Sequence, residues 1–386
     1  MAVEGVADKG GNRIRLGMVG GGEGAFIGAV HRIAARLDDR FELVAGALSS
    51  TPEKSQRSAD ALGIKRSYGS FTEMAQKEAR RKDGIEAVAI VTPNHMHVPP
   101  AKEFMKRGIH VICDKPLAQS LSEAKAFEKF VAGSKSLFVL THNYTGYPMV
   151  RQAREMVANG DLGKIRLIHV EYPQDWLTEA IEKTGQKQAD WRTDPARSGA
   201  GALGDIGTHA YNLASFISGM EVEQLAADVH TMVDGRRVDD NAHVMLRYPN
   251  GAKGMLWCSQ VAPGYENGLK IRIYGEKAGL EWVQADPTYL WHTPLNEPKR
   301  LITRAGHGAG PAASRVTRIP SGHPEGYLEA FATIYSEAAE AIIAHRSGKN
   351  PPKEVVYPGI ADGMAGMKFV DACLRSSKRN GAWVSL

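Results

Sequence analysis

Between residues 14 and 141, short apolar runs alternate with stretches whose apolar residues recur every three or four positions. The runs at 15–19, 42–47, 87–91, 110–113 and 137–141 read as strands. The periodic stretches at 28–37, 52–62, 71–79, 98–107 and 121–132 read as helices. Strand and helix in strict alternation predict a doubly wound parallel sheet. After residue 142 the rhythm changes. A helix at 149–159 leads into β runs at 164–171, 222–232, 241–248, 252–260, 269–275 and 279–283, joined by turn signals such as Pro249-Asn250-Gly251. Consecutive strands with tight turns predict a large, mainly antiparallel sheet. One helix at 205–218 interrupts them, with Gly219 in the C-terminal capping position. Residues 296–324, rich in Gly, Pro, Arg and His without periodicity, read as a long surface loop near a site or an arm to another subunit. Helices at 325–345 and 359–377 end the chain. Two domains follow, residues 1–142 as an α/β nucleotide-binding domain and residues 143–386 as an α+β domain.

Composition leaves that picture intact and removes several function classes. With 386 residues, 43% hydrophobic and 24% charged, the chain is long enough for two cores and has the composition of an ordinary soluble protein. A formal charge of +5 is mild. Basic clusters such as Arg80-Arg81-Lys82 sit among acids without interleaved aromatics, so no nucleic-acid platform is expected. No stretch is apolar enough to span a bilayer, and residues 1–13 have no apolar core of a signal peptide and read as a loose tail. Cys113, Cys258 and Cys373 are far apart in apolar surroundings, which predicts neither disulfides nor a zinc cluster and fits a reducing cytoplasm.

Between the first strand and the first helix lies Gly20-Gly21-Gly22-Glu23-Gly24-Ala25-Phe26-Ile27-Gly28. In that position glycines allow a tight turn and let backbone N–H groups approach a pyrophosphate at the helix N-terminus. The spacing departs from G-x-G-x-x-G, because extra residues separate Gly22 from Gly28, so the turn must bulge. The second strand ends in Ser49-Ser50-Thr51 where an NAD site commonly carries an acid for the ribose hydroxyl. Hydroxyls there and Lys54 nearby accept either NAD or NADP; a serine cap on the next helix reads equally well.

Two further clusters carry chemistry. Lys115, in Asp114-Lys115-Pro116, follows an apolar strand and lies at the carboxyl edge of the predicted sheet, where open α/β sheets bind ligands. In Gly204-Asp205-Ile206-Gly207-Thr208-His209, Asp205 and His209 are four apart, which on a helix places them on one face with Asn212 one turn on. A histidine beside a carboxylate is a natural general base for a hydroxyl at neutral pH; a capping Asp with a merely hydrogen-bonded His is the structural alternative.

With these motifs in this order, and with His31 after the glycine loop and Thr92-Pro93-Asn94-His95-Met96-His97 after the fourth strand, the chain resembles the glucose-fructose oxidoreductase/inositol dehydrogenase (Gfo/Idh/MocA) family along nearly its whole length. The family usually has Glu where Asp114 stands. The resemblance implies a Rossmann-like first domain and an open-sheet second domain that carries substrate and often a homo-oligomer interface, in a dimer or tetramer. It implies Lys115, Asp205 and His209 as catalytic residues. Gly20, Gly22, Phe26, Ile27, Gly28, Ser49, Ser50, Thr92, Pro93, Asn94, His97, Asp114 and Lys115 would contact NAD or NADP. Gln174-Asp175-Trp176, Asp190-Trp191-Arg192 and Asn143-Tyr144 look like the levoglucosan dehydrogenase branch, which oxidises C3 of a pyranose. Thr145-Gly146-Tyr147 departs from the arginine pair common there. On that likeness Tyr144, Gln174, Trp176 and Trp191 join Lys115, Asp205 and His209 around the sugar, since aromatic faces cover sugar C–H surfaces and amides bind hydroxyls.

The expected activity is NAD(P)-dependent hydride transfer from a secondary alcohol of a sugar, sugar derivative or cyclic polyol, with no metal, nucleic-acid or membrane partner. His95 and His97 lack a partnered ligand motif, and no G-x-S-x-G elbow is present. The alternatives are a glycoside hydrolase acting by transient C3 oxidation with retained NAD and a non-catalytic sugar- or dinucleotide-sensing protein. The intact Lys115, Asp205 and His209 argue against the sensor.

Overall fold

The apolar runs of the first half form the strands and helices their periodicity predicts, in a computed structural model that describes residues 13–386. The expected loose tail at residues 1–13 lies, but for Arg13, outside the described residues. The chain runs β1 (Ile14–Gly20), α1 (Phe26–Leu37), β2 (Phe41–Ala47), α2 (Pro52–Leu62), β3 (Arg66–Ser67), α3 (Phe71–Glu78), β4 (Ala87–Val91), α4 (Val98–Met105), β5 (His110–Cys113), α5 (Leu121–Ala132) and β6 (Phe138–Leu140). The strands pair in parallel in the order β3-β2-β1-β4-β5-β6. Strands β4, β5 and β6 are buried along their whole length, which is why they read as continuous rather than alternating apolar runs. Thr51, Ser70 and Ser120 accept from the third amide beyond them and so start α2, α3 and α5. Strand order reverses between β1 and β4, the switch point where such sheets bind ligands.

The second unit begins with α6 (Pro148–Ala158) and β7 (Ile165–Pro173). Then come α7 (Lys187–Arg192), α8 (Pro195–Ser198), a π-helical turn at Leu203–Gly207 and α9 (Thr208–Ser218). Strands β8 (Gln224–His230), β9 (Asn241–Arg247), β10 (Lys253–Ser259), β11 (Lys270–Gly275), β12 (Ala278–Val283), β13 (Tyr289–Pro294) and β14 (Arg300–Thr303) follow, then α10 (Pro311–Arg315), α11 (Tyr327–Arg346), α12 (Ile360–Ser377) and β15 (Val384–Ser385). Among the described residues the sheet runs β14-β13-β12-β11-β7-β10-β9-β8-β15. Its one parallel pair, β7 with β10, makes it mixed but mostly antiparallel. Alternation along β9 and β10 buries Ala242, Val244, Leu246, Leu256 and Cys258, while Met245 and Met255 remain exposed.

Three sequence expectations change. The featureless loop at 296–324 contains β14 and α10, and β13 precedes it. These pieces are too short to show a period, and β14 is half-exposed on both faces. The helix at 205–218 opens as a π turn, so Asp205 and His209 are not related by an α-helical turn. The division expected at 142 falls after Gly146, and residues 327–364, assigned by sequence to the second domain, belong to the first unit. Helix α11 returns because it is apolar on more than one face. Phe331, Ile334, Tyr335, Ala338 and Ile342 join Val30, Ala34 and Ala35 of α1 and Phe41 in one buried cluster.

Candidate active site

The glycine loop is built to bring backbone close to a ligand. Gly20, Gly21 and Gly24 have φ values of 79°, 74° and 71°, where any side chain would be strained. A Cβ on Gly28 would lie 2.4 Å from the Gly21 Cα, so the tight helix approach is made by Gly21 and Gly28, with Gly22 packed instead against the Leu48 carbonyl and Ser58. The fold itself uses the amides of Gly22, Glu23 and Ala25, which donate to the Leu48 carbonyl, Ser58 Oγ and the Gly22 carbonyl. Helix α1 has no side-chain cap, because Ala25 occupies the capping position. Its first-turn amides, with exposed Phe26 and half-buried Ile27 beside them, suit the pyrophosphate of a dinucleotide.

At the end of β2 the structure shows which residue caps the next helix. Thr51, not a serine, caps α2, and Ser55 Oγ takes the Leu48 amide. Ser49 is half-buried and Ser50 exposed, and neither hydroxyl bonds a neighbouring side chain. No acid occupies this edge to select against a 2′-phosphate. Ser49→Asp is therefore expected to lower kcat/KM with NADP+ by about tenfold while sparing NAD+. Steady-state comparison of the two cofactors checks it; equal loss with both would refute the placement.

The segments that follow β4 and β5 are tied together next to Lys115 in the chain. Thr92 Oγ1 donates to the Met96 carbonyl at 2.7 Å. His97 is buried, with Nδ1 2.7 Å from the Pro116 carbonyl and Nε2 2.8 Å from the Thr92 carbonyl. Two carbonyl partners favour an imidazolium, but burial outweighs them and holds the His97 pKa below its ordinary value. Both ring nitrogens thus lie against backbone carbonyls, and His97 links the segment after β4 to the segment after β5. Asn94 is likewise buried, with Pro93 half-buried beside it.

Asp114 Oδ1 accepts from Thr141 Oγ1 and the Lys115 amide, both at 2.9 Å, and lies 3.9 Å from His31 Nε2. His31 Nδ1 is in turn 2.8 Å from Tyr335 Oη on α11. Burial alone would raise the Asp114 pKa; contact with His31 and the charge of Lys115 reverse this and hold it well below the usual carboxylate range. Lys115 itself is half-buried. Burial, reinforced by the Lys115 charge, pushes His142 down to about 3.

In the second unit Asp205 sits on the π turn, half-buried. Its Oδ2 accepts from Gln260 Nε2 at 2.8 Å and lies 3.4 Å from Arg192 Nε. His209 is buried one turn on, 6.3 Å between ring centroids from Tyr172. Tyr172 Oη and Gln174 Nε2 both donate to Asn267 Oδ1 at 2.8 Å, and Trp176 Nε1 donates to Gln174 Oε1 at 3.1 Å. The Arg192 guanidinium lies over Trp191 at 4.3 Å and near Trp176 at 5.9 Å, and bonds Gln188 Oε1 at 2.6 Å. The structure thus joins Asp205 to Trp176 and Trp191 through Arg192, and Gln174 to Trp176 directly. Tyr144 belongs to the first unit, 97% buried against Tyr327, where it packs as core. Sequence reasoning missed Arg192, Gln260 and Asn267. Arg192 stood in a quoted motif, but nothing in the local pattern marks Gln260 or Asn267.

Among the described residues no group of three or more His, Cys, Asp or Glu could hold a metal ion, and no helix is long and apolar enough to cross a membrane. The three cysteines are free and buried, and burial pushes their thiols up, away from the thiolate form that reacts.

Residues 14–142 match the oxidoreductase family with the NAD-binding Rossmann fold, and residues 150–281 match the Gfo/Idh/MocA C-terminal domain. The chain belongs to the Gfo/Idh/MocA family. It is an NAD-binding oxidoreductase. A crystal structure of an oxidoreductase from Sinorhizobium meliloti is 64% identical and superposes with a TM-score of 0.89, covering 97% of this chain and all of that one. An inositol dehydrogenase homolog from Azotobacter vinelandii, solved with NADH and myo-inositol, is 33% identical with a TM-score of 0.90 over 97% of this chain and 98% of its own. The levoglucosan dehydrogenase of Pseudarthrobacter phenanthrenivorans is 27% identical over 69% of this chain and 73% of its own. The family, both fold types and the NAD cofactor expected from sequence are therefore borne out.

A pH dependence follows from two histidines of this Gfo/Idh/MocA protein. Burial pushes His142 to about 3, and burial with the charges of His345 and Arg346 pushes His110 to about 4. Both ordinarily titrate near 6.5, so below that value the unfolded chain binds protons that the folded one refuses until its own depressed pKa is reached. Stability is therefore expected to fall as pH drops from about 6.5 to about 4, and His97, His169 and His292, which burial also lowers, add to the slope. Urea unfolding across that range checks this. His110→Gln should lower the slope measurably, and an unchanged slope would contradict the assignment.

Proposed function

We propose that this protein oxidises a ring secondary alcohol of a cyclic polyol or pyranose, with hydride passing to NAD+ or, in the reverse direction, from NADH. The observation that carries the reading is the second-unit constellation: Asp205 and His209 on one π-to-α turn, flanked by Gln174, Trp176, Trp191 and Arg192. Indole faces and amides in one patch are the chemistry that recognises a polyhydroxylated ring. The cofactor, when bound, supplies the hydride chemistry. In our assignment His209 accepts the hydroxyl proton, Lys115 stabilises the developing alkoxide, and Asp205 orients the hydroxyls with its charge balanced by Arg192.

Similarity to relatives named for inositol and levoglucosan supports this substrate class, and it leaves pyranose C3 as the finer version of the same proposal. The test is a screen of cyclic polyols and pyranoses for NADH formation, followed by NMR of the product to place the carbonyl. Turnover of acyclic alcohols with none on ring substrates would reject the reading. Glycoside cleavage without net NADH would turn it toward the hydrolase.

A homo-oligomer, dimer or tetramer, is part of the proposal. It is supported by exposed Leu167, Met245, Met255 and Tyr274 on the second-unit sheet, and light scattering measures it. Three buried, unpaired thiols support a cytoplasmic location.

A further inference from the structure

The segment 236–240, more than twenty residues from Asp205 and from Trp176 in sequence, is bonded to the chain just before Asp205, to the chain just after Trp176 and to Gln260. Asp239 takes the segment before the π turn entirely. Its Oδ1 accepts the Gly201 amide at 2.8 Å and its Oδ2 the Leu203 amide at 2.7 Å, while its backbone carbonyl accepts the Ala202 amide at 2.9 Å. Three successive amides thus end on one residue, whose carboxylate is buried. A Cβ on Gly201 would overlap the Asp239 carbonyl oxygen, so glycine is required for this approach. Two residues after Leu203 the chain delivers Asp205.

Asp240 sets the other side of the same carboxylate. Its carbonyl accepts the Gln260 amide at 2.8 Å, and the Gln260 side chain donates to Asp205 Oδ2 at 2.8 Å. Gln260 also accepts the Leu177 amide through its carbonyl at 3.0 Å. The Asp240 carboxylate accepts the Met232 and Val233 amides and pairs with buried Arg236 at 3.1 Å. Arg236 spends its remaining donors on the strip after Trp176: Nη1 on the Leu177 carbonyl, Nη2 on the Glu179 carbonyl, and a two-pronged bond to Glu182.

We propose that Asp239 and Arg236 are positioning residues with divided tasks, Asp239 fixing the π turn that presents Asp205 and Arg236 fixing the segment that presents Gln174 and Trp176. Neither touches the reacting atoms. The division follows from the direct bonds: of the segments that carry the site, Asp239 bonds 201–203 and Arg236 bonds the strip at 177–182, while the pair of Arg236 with Asp240 reaches Asp205 only through the Asp240 backbone and Gln260. Misplacing a catalytic group by about 1 Å can cost on the order of 10²-fold in rate, whereas loosening a substrate wall weakens binding.

The inference rests on Asp205 and Trp176 serving the substrate, so the experiment includes Asp205→Asn. In Asp239→Asn one amide acceptor becomes a donor at constant shape. Its kcat should fall by about 10²-fold while NADH affinity, read by fluorescence titration, stays unchanged. Arg236→Lys keeps the charge and loses the fork; it should raise the sugar KM by about tenfold with kcat little altered. A merely architectural role would lower the folded fraction and leave kcat and KM per folded site at wild-type values in both variants. That result, with Asp205→Asn inactive, overturns the inference alone, while wild-type turnover in Asp205→Asn overturns the underlying reading. Amide hydrogen exchange in the unmodified protein needs no variant. Gly201, Ala202 and Leu203 should be among the slow exchangers, and rapid exchange there would refute the anchoring even if Asp239→Asn failed to fold.

Discussion

Lys115→Met is expected to lower kcat by 10²-fold or more, while NADH binding stays within about twofold of wild type; the loss is the scale of removing one group that stabilises developing charge. The expectation rests on how rigidly the residue's base is held. The Lys115 amide donates to Asp114, which also accepts from Thr141 and faces His31, and His31 is fixed by Tyr335. Next in line, the Pro116 carbonyl is held by His97. Such bracing fixes the backbone from which the Lys115 side chain extends, and a methionine of similar length preserves packing while deleting the charge. Pre-steady-state mixing with saturating substrate isolates the hydride step. A variant with unaltered single-turnover rate would remove Lys115 from the chemistry.

The brace also shows which parts of the site a linear reading reaches. Asp114, Lys115 and His97 are legible because they sit at strand ends in a regular alternation, where position in the sheet follows from period alone. Tyr335 is not. It belongs to a helix nearly two hundred residues downstream of β6 that re-enters the first unit, and its apolar neighbours would suit a core in either domain.

The glycine loop was legible as a phosphate turn, but not the choice of Gly21 over Gly22 as the close-packing residue. That choice depends on the φ values of a bulged turn and not on spacing. The Asp205–His209 pair was legible as a polar stripe, yet its π turn was hidden. The bonds that start it come from Asp239, and no local propensity records an acceptor thirty-six residues away.

The stretch at 296–324 is the clearest case of order without period, and it carries the second large expectation. Arg304 is almost fully buried, and its guanidinium donates to the carbonyls of Ile319, Pro320 and His323 and to Glu325 Oε1. The same Glu325 oxygen accepts the Arg318 and Ile319 amides. One buried ion pair therefore gathers the whole return segment by its backbone, a device with no hydrophobic signature. Arg304→Met leaves the Glu325 carboxylate buried without its cation and strands three carbonyls. The expected loss is roughly 3–5 kcal/mol of second-unit stability, the cost of breaking such a pair from one side. Replacing both partners, Arg304→Met with Glu325→Leu, should recover part of that loss, because the buried carboxylate is removed along with its main cation, although the three carbonyls and the Arg318 and Ile319 amides remain unpaired. Urea unfolding followed by tryptophan fluorescence reads the second unit, and NADH titration reports whether the first is intact. A single variant that costs less than about 1 kcal/mol would mean that water reaches this pair and that the segment is held by something else.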